Sequence, residues 1–184
     1  MKQLHQMVHI TAILVCMAFT SGTYAQTETD TTASLHFLSG TWEVRNFARE
    51  NDTWKLLGTT KSTGALEHDG RFVSERTKFL TPFGTINMIT FIGFDSKAKK
   101  FKLSAMDKEY GLMDIYLGGW TNNALVFDNL SSDLPVKTED GKHLHFRLTY
   151  KDITERSFTH LVEGTTDQGK SWFIFSRSVF NKAP

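Results

Sequence analysis

Beyond residue 40 the chain alternates apolar and polar positions with a period of two, in short runs broken by Gly, Asp and Asn. The alternation predicts strands over 41–48, 59–68, 71–79, 84–94, 101–107, 112–117, 124–129, 144–151, 157–164 and 171–180. Helical periodicity is absent apart from one short helical turn predicted over 35–38. Many short strands with hairpin signals and no helices between them mean an all-β domain. The expected architecture is a single antiparallel meander, closed as a β-barrel of about ten strands.

The first 25 residues depart from this pattern. Lys2 opens a weakly basic stretch, 10–19 is an apolar run too short to span a bilayer, and Thr23 and Ala25 sit where an A-x-A-like cut is made. The expectation is a signal peptide over 1–25 cleaved near Ala25, a flexible polar leader over 26–34, and a barrel domain over 35–184. The protein would then be exported, periplasmic or secreted, with no transmembrane segment in the mature chain. A lipid anchor on Cys16 is disfavoured by bulky Val15. Cleavage would remove Cys16, the single cysteine, and with it thiol nucleophiles and thiolate metal sites. A core without disulfides is feasible at about 160 residues, where roughly 68–70% of the unfolded surface is buried.

Turn chemistry predicts which side chains face inward. Asp69 and Gly70 form a strong turn signal, so Leu66 pairs with Val73 and Gly64 with Glu75. Charged Lys61, Glu67, Arg76 and Lys78 then take the wet face, and Leu66, Val73, Glu75 and Phe79 the inner one. Glu75 would point inward, opposite a glycine that leaves room beside it. The next hairpin pairs Phe94 with Phe101 and Ile92 with Leu103, which places Phe101, Leu103, Ala105 and Asp107 inside. In the last hairpins Leu144, Phe146, Leu148 and Tyr150 share a face, as do Phe158, His160 and Val162. Trp172, Ile174 and Ser176 are expected on the same side as His160, unless the register slips by one.

Glu75, Asp107 and His160 are thus candidate polar groups in an otherwise apolar interior. Burial raises carboxyl pKa values and lowers that of histidine, which suits such groups to fix a ligand's polar end or to exchange protons with it. His143 and His145 stand at strand spacing with Glu163 across the pair, but Arg147 and Lys151 on that face disfavour a metal, and a solvated face is expected. Ser96 and Lys99 match a serine-lysine spacing yet read as a lysine-rich turn. Asn51 and Asn129 head formal glycosylation sequons. Tyr116 and Trp120, around a flexible turn expected at Gly118 and Gly119, are the aromatics that a surface partner would use. With 21 Lys and Arg against 20 Asp and Glu the footprint of a nucleic-acid binder is missing, and no P-loop, dinucleotide fingerprint or nucleophile elbow occurs.

Gly40, Thr41 and Trp42, opening the first strand, resemble the G-x-W signature of lipocalins and the wider calycin superfamily. Arg177 on the last strand matches in position the arginine that packs over that tryptophan. The segments 68–72 and 93–95, with a lysine-rich turn before Phe101, resemble an uncharacterised family of exported bacterial calycin-like proteins. The resemblance covers about residues 35–180 and implies structural roles for Trp42 and Arg177. Nitrobindin-like relatives bind haem through a histidine; the C-terminal residues 180–184 have none, so haem would have to use His160.

Two function classes follow. The first is a barrel that binds a small hydrophobic or amphipathic molecule, lined by Glu75, Met88, Asp107, Phe146, Tyr150, His160, Trp172 and Ser176. Ile86, Ile92, Leu103, Leu148, Phe158 and Ile174 would complete its apolar interior. The second is an acid/base enzyme of the isomerase, cyclase or lyase type, with Glu75, Asp107 and His160 catalytic. No cofactor or metal is expected in either case, haem on His160 being the exception the resemblance raises.

Overall fold

The computed structural model of the chain describes residues 32–133 and 135–184. The expected signal segment and Cys16 lie outside the described residues, as does most of the leader. The end of that leader, 32–34, turns helically into a short 3-10 helix, His36–Leu38. The strands are β1 (Gly40–Glu50), β2 (Thr53–Glu67), β3 (Phe72–Thr81), β4 (Gly84–Asp95), β5 (Lys100–Asp107), β6 (Met113–Thr121), β7 (Ala124–Asp128), β8 (Val136–Lys137), β9 (His143–Lys151), β10 (Ser157–Thr165) and β11 (Phe173–Lys182). All pairings are antiparallel, and β10 bonds to both β11 and β9, so ten strands close into a barrel. Two-residue β8 lies outside that ring, paired to β9. No helix among the described residues is long and apolar enough to cross a membrane.

The predicted hairpin registers hold: Leu66 opposes Val73, Gly64 opposes Glu75, Ile92 opposes Leu103, and Phe94 opposes Phe101. Differences arise where turns or bulges carry little sequence signal. Strand β2 starts at Thr53 rather than 59, because Asn51 and Asp52 both adopt positive φ and make a two-residue hairpin turn. Residues Gly118 and Gly119 are not a turn but lie inside β6, and the reversal falls on Asn122 and Asn123, again at positive φ. A Cβ on Gly118 would stand 1.9 Å from the Val126 carbonyl oxygen, so this glycine permits a close backbone approach.

One end of the barrel is plugged. Leu35 and Leu38 are fully buried, Trp42 Nε1 donates to the Leu38 carbonyl at 3.0 Å, and the Phe37 ring meets Trp120, Tyr150 and Phe158 edge-on. A Cβ on Gly64 would lie 2.0 Å from the Leu38 carbonyl oxygen. The space beside Gly64, expected to serve Glu75, is therefore taken by the plug's backbone. Above the plug, Val44, Val73, Ile92, Leu103, Leu125, Phe127, Phe158 and Phe180 fill the interior. Leu66, on the predicted inner face, sits near the hairpin end and is 45% exposed.

The tryptophan-arginine pairing expected from the resemblance is not formed. Arg177 lies opposite Phe47, with its guanidinium 4.6 Å from the Phe47 ring and 4.3 Å from that of Trp54. The cation over Trp42 is Lys182, its direct partner in the β1–β11 register, with Nζ at 5.3 Å. A cation there still covers the indole, a contact of roughly 0.5–2 kcal/mol.

Candidate functional site

Toward the other end, where the connections 82–83, 108–112, 129–142 and 166–172 lie, side chains stop filling the barrel. A cavity of about 350 Å³ remains, open through the rim formed by Thr81, Phe83, Tyr110, Leu112 and Val136. Its walls carry Phe79, Ile86, Met88, Ala105, Leu144, Phe146, Leu148, Val162 and Phe175, with Glu75, Thr77, Thr90, Asp107, Asp114, Tyr116, Tyr150, His160 and Ser176 among them. Seven of the eight residues expected to contact a ligand thus face the cavity. The exception is Trp172.

Its displacement has a local cause. Between Val162 and Glu163 the β10–β11 register shifts: Val162 opposes Ser176 while Glu163 opposes Ile174, leaving Phe175 as the extra residue of a bulge. Alternation changes phase there, so Phe175 lines the cavity and Ile174 does not. Trp172 lies under the Arg147 guanidinium at 4.4 Å, and Arg147 makes a bidentate pair with Glu163 at 2.7 and 2.8 Å.

Glu75 is the most enclosed carboxyl among the described residues, 4% exposed in the middle of β3. Its Oε1 accepts from Ser62 Oγ at 3.1 Å and Thr77 Oγ1 at 2.9 Å, and those two hydroxyls stand 2.6 Å apart. Burial raises the Glu75 pKa, and the hydroxyls of Thr77, Ser62 and Thr90 oppose that shift only partly. Thr90 stands directly across the β3–β4 pair from Glu75, and its hydroxyl is the third that faces the carboxyl.

His160 stands on β10 between aromatic rings, with Tyr150 at 4.7 Å and Phe79 at 5.5 Å between centroids. It is 6% exposed, its Nε2 has no partner among the described residues, and burial pushes its pKa down to about 4. The Tyr150 phenol is pushed well above its usual value by burial and then by nearby Glu75. Asp107 sits at the rim end of β5 and accepts from the Tyr110 backbone N–H at 2.6 Å. Among the described residues no hydrogen bond links Glu75, Asp107 and His160; the structure places all three on one cavity without joining them.

Sequence reasoning missed Ser62, Thr77, Thr90, Asp114 and Tyr116. Tyr116, expected at the surface, is 7% exposed and lines the cavity because it opposes inward Leu103. Burial raises its pKa, and Asp114 and then Asp107 add to the shift, so both carboxylates act on this phenol. Trp120 is 39% exposed and tucked onto the domain, Nε1 donating to Ser34 Oγ at 2.9 Å.

The two histidines of the β9 face have separate environments. His143 is exposed, whereas His145, expected in solvent, is 2% exposed, with Nδ1 3.0 Å from the Asn129 carbonyl and Nε2 3.3 Å from Gln168. Asn129 is itself buried, its amide donating to Asp114 and accepting from the Phe146 N–H, which leaves that sequon inaccessible in the folded state. No group of three or more His, Cys, Asp or Glu is arranged to hold a metal among the described residues.

Haem is a poor match to this site. The unpartnered Nε2 of His160 suits an axial ligand, but among the described residues no Lys or Arg lines the cavity to receive propionates, and the acidic side chains of Glu75, Asp107 and Asp114 line it instead.

No protein-family model matches the chain, and no curated protein matches it. Among solved structures with detectable similarity is a protein of unknown function from the DUF3598 family of Nostoc punctiforme. It is 9% identical, with 83% of this chain and 99% of that chain covered and a TM-score of 0.23.

Proposed function

We propose that this barrel binds a small hydrophobic or amphipathic molecule in its interior. The observation that carries the reading is the cavity of about 350 Å³, open at one end, apolar over most of its wall and lined by a buried His160 whose Nε2 has no partner among the described residues. That volume falls in the range of small-molecule pockets, roughly 300–1,000 Å³, and the mixture of many apolar and a few placed polar groups is their usual composition. A calycin-like reading of the barrel is supported by Trp42 at the head of β1 with a cation over its indole.

A neutral hydrophobic fluorophore tests the binding reading. Nile red is expected to gain fluorescence with the native chain and to lose most of that gain with Ala105→Phe, which puts a ring into the cavity where β5 faces Thr90 and Asp114. Leu148→Trp fills the same space from β9. A native chain that leaves Nile red dark, or filled variants that bind it equally well, would sink the reading.

We also propose that the protein acts outside the cytoplasm, periplasmic or secreted, on the strength of the charge, apolar run and small residues over 1–25. N-terminal sequencing of the protein from its own host is expected to begin near Gln26. A mature chain that still starts at Met1 would count against export.

A further inference from the structure

We infer that the cavity selects a hydrophobic amine, a cation with an apolar body, over neutral or anionic amphiphiles of similar size. This inference rests on the binding reading above. The titratable side chains are one-sided: Asp107 and Asp114, with the buried acid Glu75 beside them, face the cavity, and among the described residues no Lys or Arg lines it.

The sheet register explains the grouping. Gly64, Glu75, Thr90, Ala105 and Asp114 are successive partners across β2 to β6, and Thr77, Met88 and Asp107 form the adjoining row. The acidic groups therefore make a strip on one wall, while β9 and β11 supply Phe146, Tyr150 and Phe175 from the facing side. Neither Asp107 nor Asp114 has an ion pair among the described residues. What they accept comes from neutral donors: the Tyr110 N–H for Asp107, and the Ile115 N–H and Asn129 amide for Asp114.

A second, independent observation points to a ligand. His160 Nε2, on β10 and so on the side facing the acidic strip, is buried without a partner among the described residues, in a cavity-lining residue 6% exposed. A neutral imidazole protonated at Nδ1 offers Nε2 as an acceptor. The cavity thus presents acidic groups on one side and an open acceptor on the other. An ammonium group is the complement, three N–H donors and no lone pair. Its apolar body would lie against the facing aromatic rings, whose π faces also attract cations. A carboxylate ligand would instead meet three like-charged or acid groups with no counter-ion, an arrangement that disfavours its charged form.

Isothermal titration of the full chain with decylamine, decanol and decanoate, below their micelle concentrations and at neutral pH, tests the inference. Decylamine is expected to bind at least tenfold more tightly than decanol, with decanoate weakest. Asp107→Asn is expected to weaken decylamine at least threefold relative to decanol; Asp114→Asn should act in the same direction. The wild-type ranking stands whether or not those variants fold. Decanol or decanoate binding as tightly as decylamine would overturn the amine inference and leave the binding reading intact. So would the failure of all three ligands to bind while Nile red still does. Failure of all four probes would overturn both.

Discussion

Trp42→Ala is expected to cost about 3–5 kcal/mol, the range for truncating a large buried aromatic. The side chain is 1% exposed, its ring meets Phe158 edge-on at 5.0 Å, and Lys182 covers it from the last strand. Its N–H also anchors the Leu38 carbonyl, so the substitution leaves a cavity and releases the plug together. Against a total stability of roughly 5–15 kcal/mol, that loss would bring a domain of this kind close to unfolding. A urea titration followed by fluorescence of the remaining tryptophans checks it. Trp120→Ala, at a ring 39% exposed that meets Phe37 edge-on and donates one hydrogen bond to Ser34, should cost less, about 1–2 kcal/mol. Equal losses at the two positions would show that Trp42 is not the residue that fastens the plug.

Strand pairing was legible where turn chemistry dictates it. Asp69 with Gly70, and Asp95 capping the backbone N–H groups of Lys97 and Ala98, fix their hairpins so tightly that alternation then assigns Val73, Glu75, Leu103 and Asp107 to the interior. The bulge at Phe175 carries no such signature, and one inserted residue was enough to move Trp172 and Ile174 off the cavity. Ser62, Thr77 and Thr90 escaped for another reason. Hydroxyl residues suit strands on either face, and only a neighbouring buried carboxyl gives them a purpose inside. Tyr116 could have been found: the pairing that turns Leu103 inward also turns its partner inward, but the two glycines after it read as a turn. His145 could not have been found, because it is covered by the Asn129 loop and Gln168, segments with no periodicity to place them.

Acid should destabilise the protein through His160, and His160→Phe should remove that sensitivity. Burial lowers its pKa from 6.5 to about 4, so the unfolded chain takes up a proton that the folded chain refuses. Stability from this group is fully present above pH 6.5 and is lost as pH falls through about 4. At 1.36 kcal/mol per pKa unit the loss amounts to about 3 kcal/mol. Glu75 runs the other way: its raised pKa makes its contribution full below pH 4.5 and diminishing as pH rises. The wild-type profile alone would therefore understate the histidine, and the difference between wild type and His160→Phe isolates it, since Glu75 is common to both. Phenylalanine fits among Phe79 and Tyr150 and removes a ring nitrogen that has no partner among the described residues. Urea midpoints at a series of pH values should show the variant gaining on wild type by about 3 kcal/mol between pH 6.5 and 4. A difference that stays flat across that window would mean that His160 is protonated as easily in the folded barrel as in water, and that the site is wetter than its packing implies.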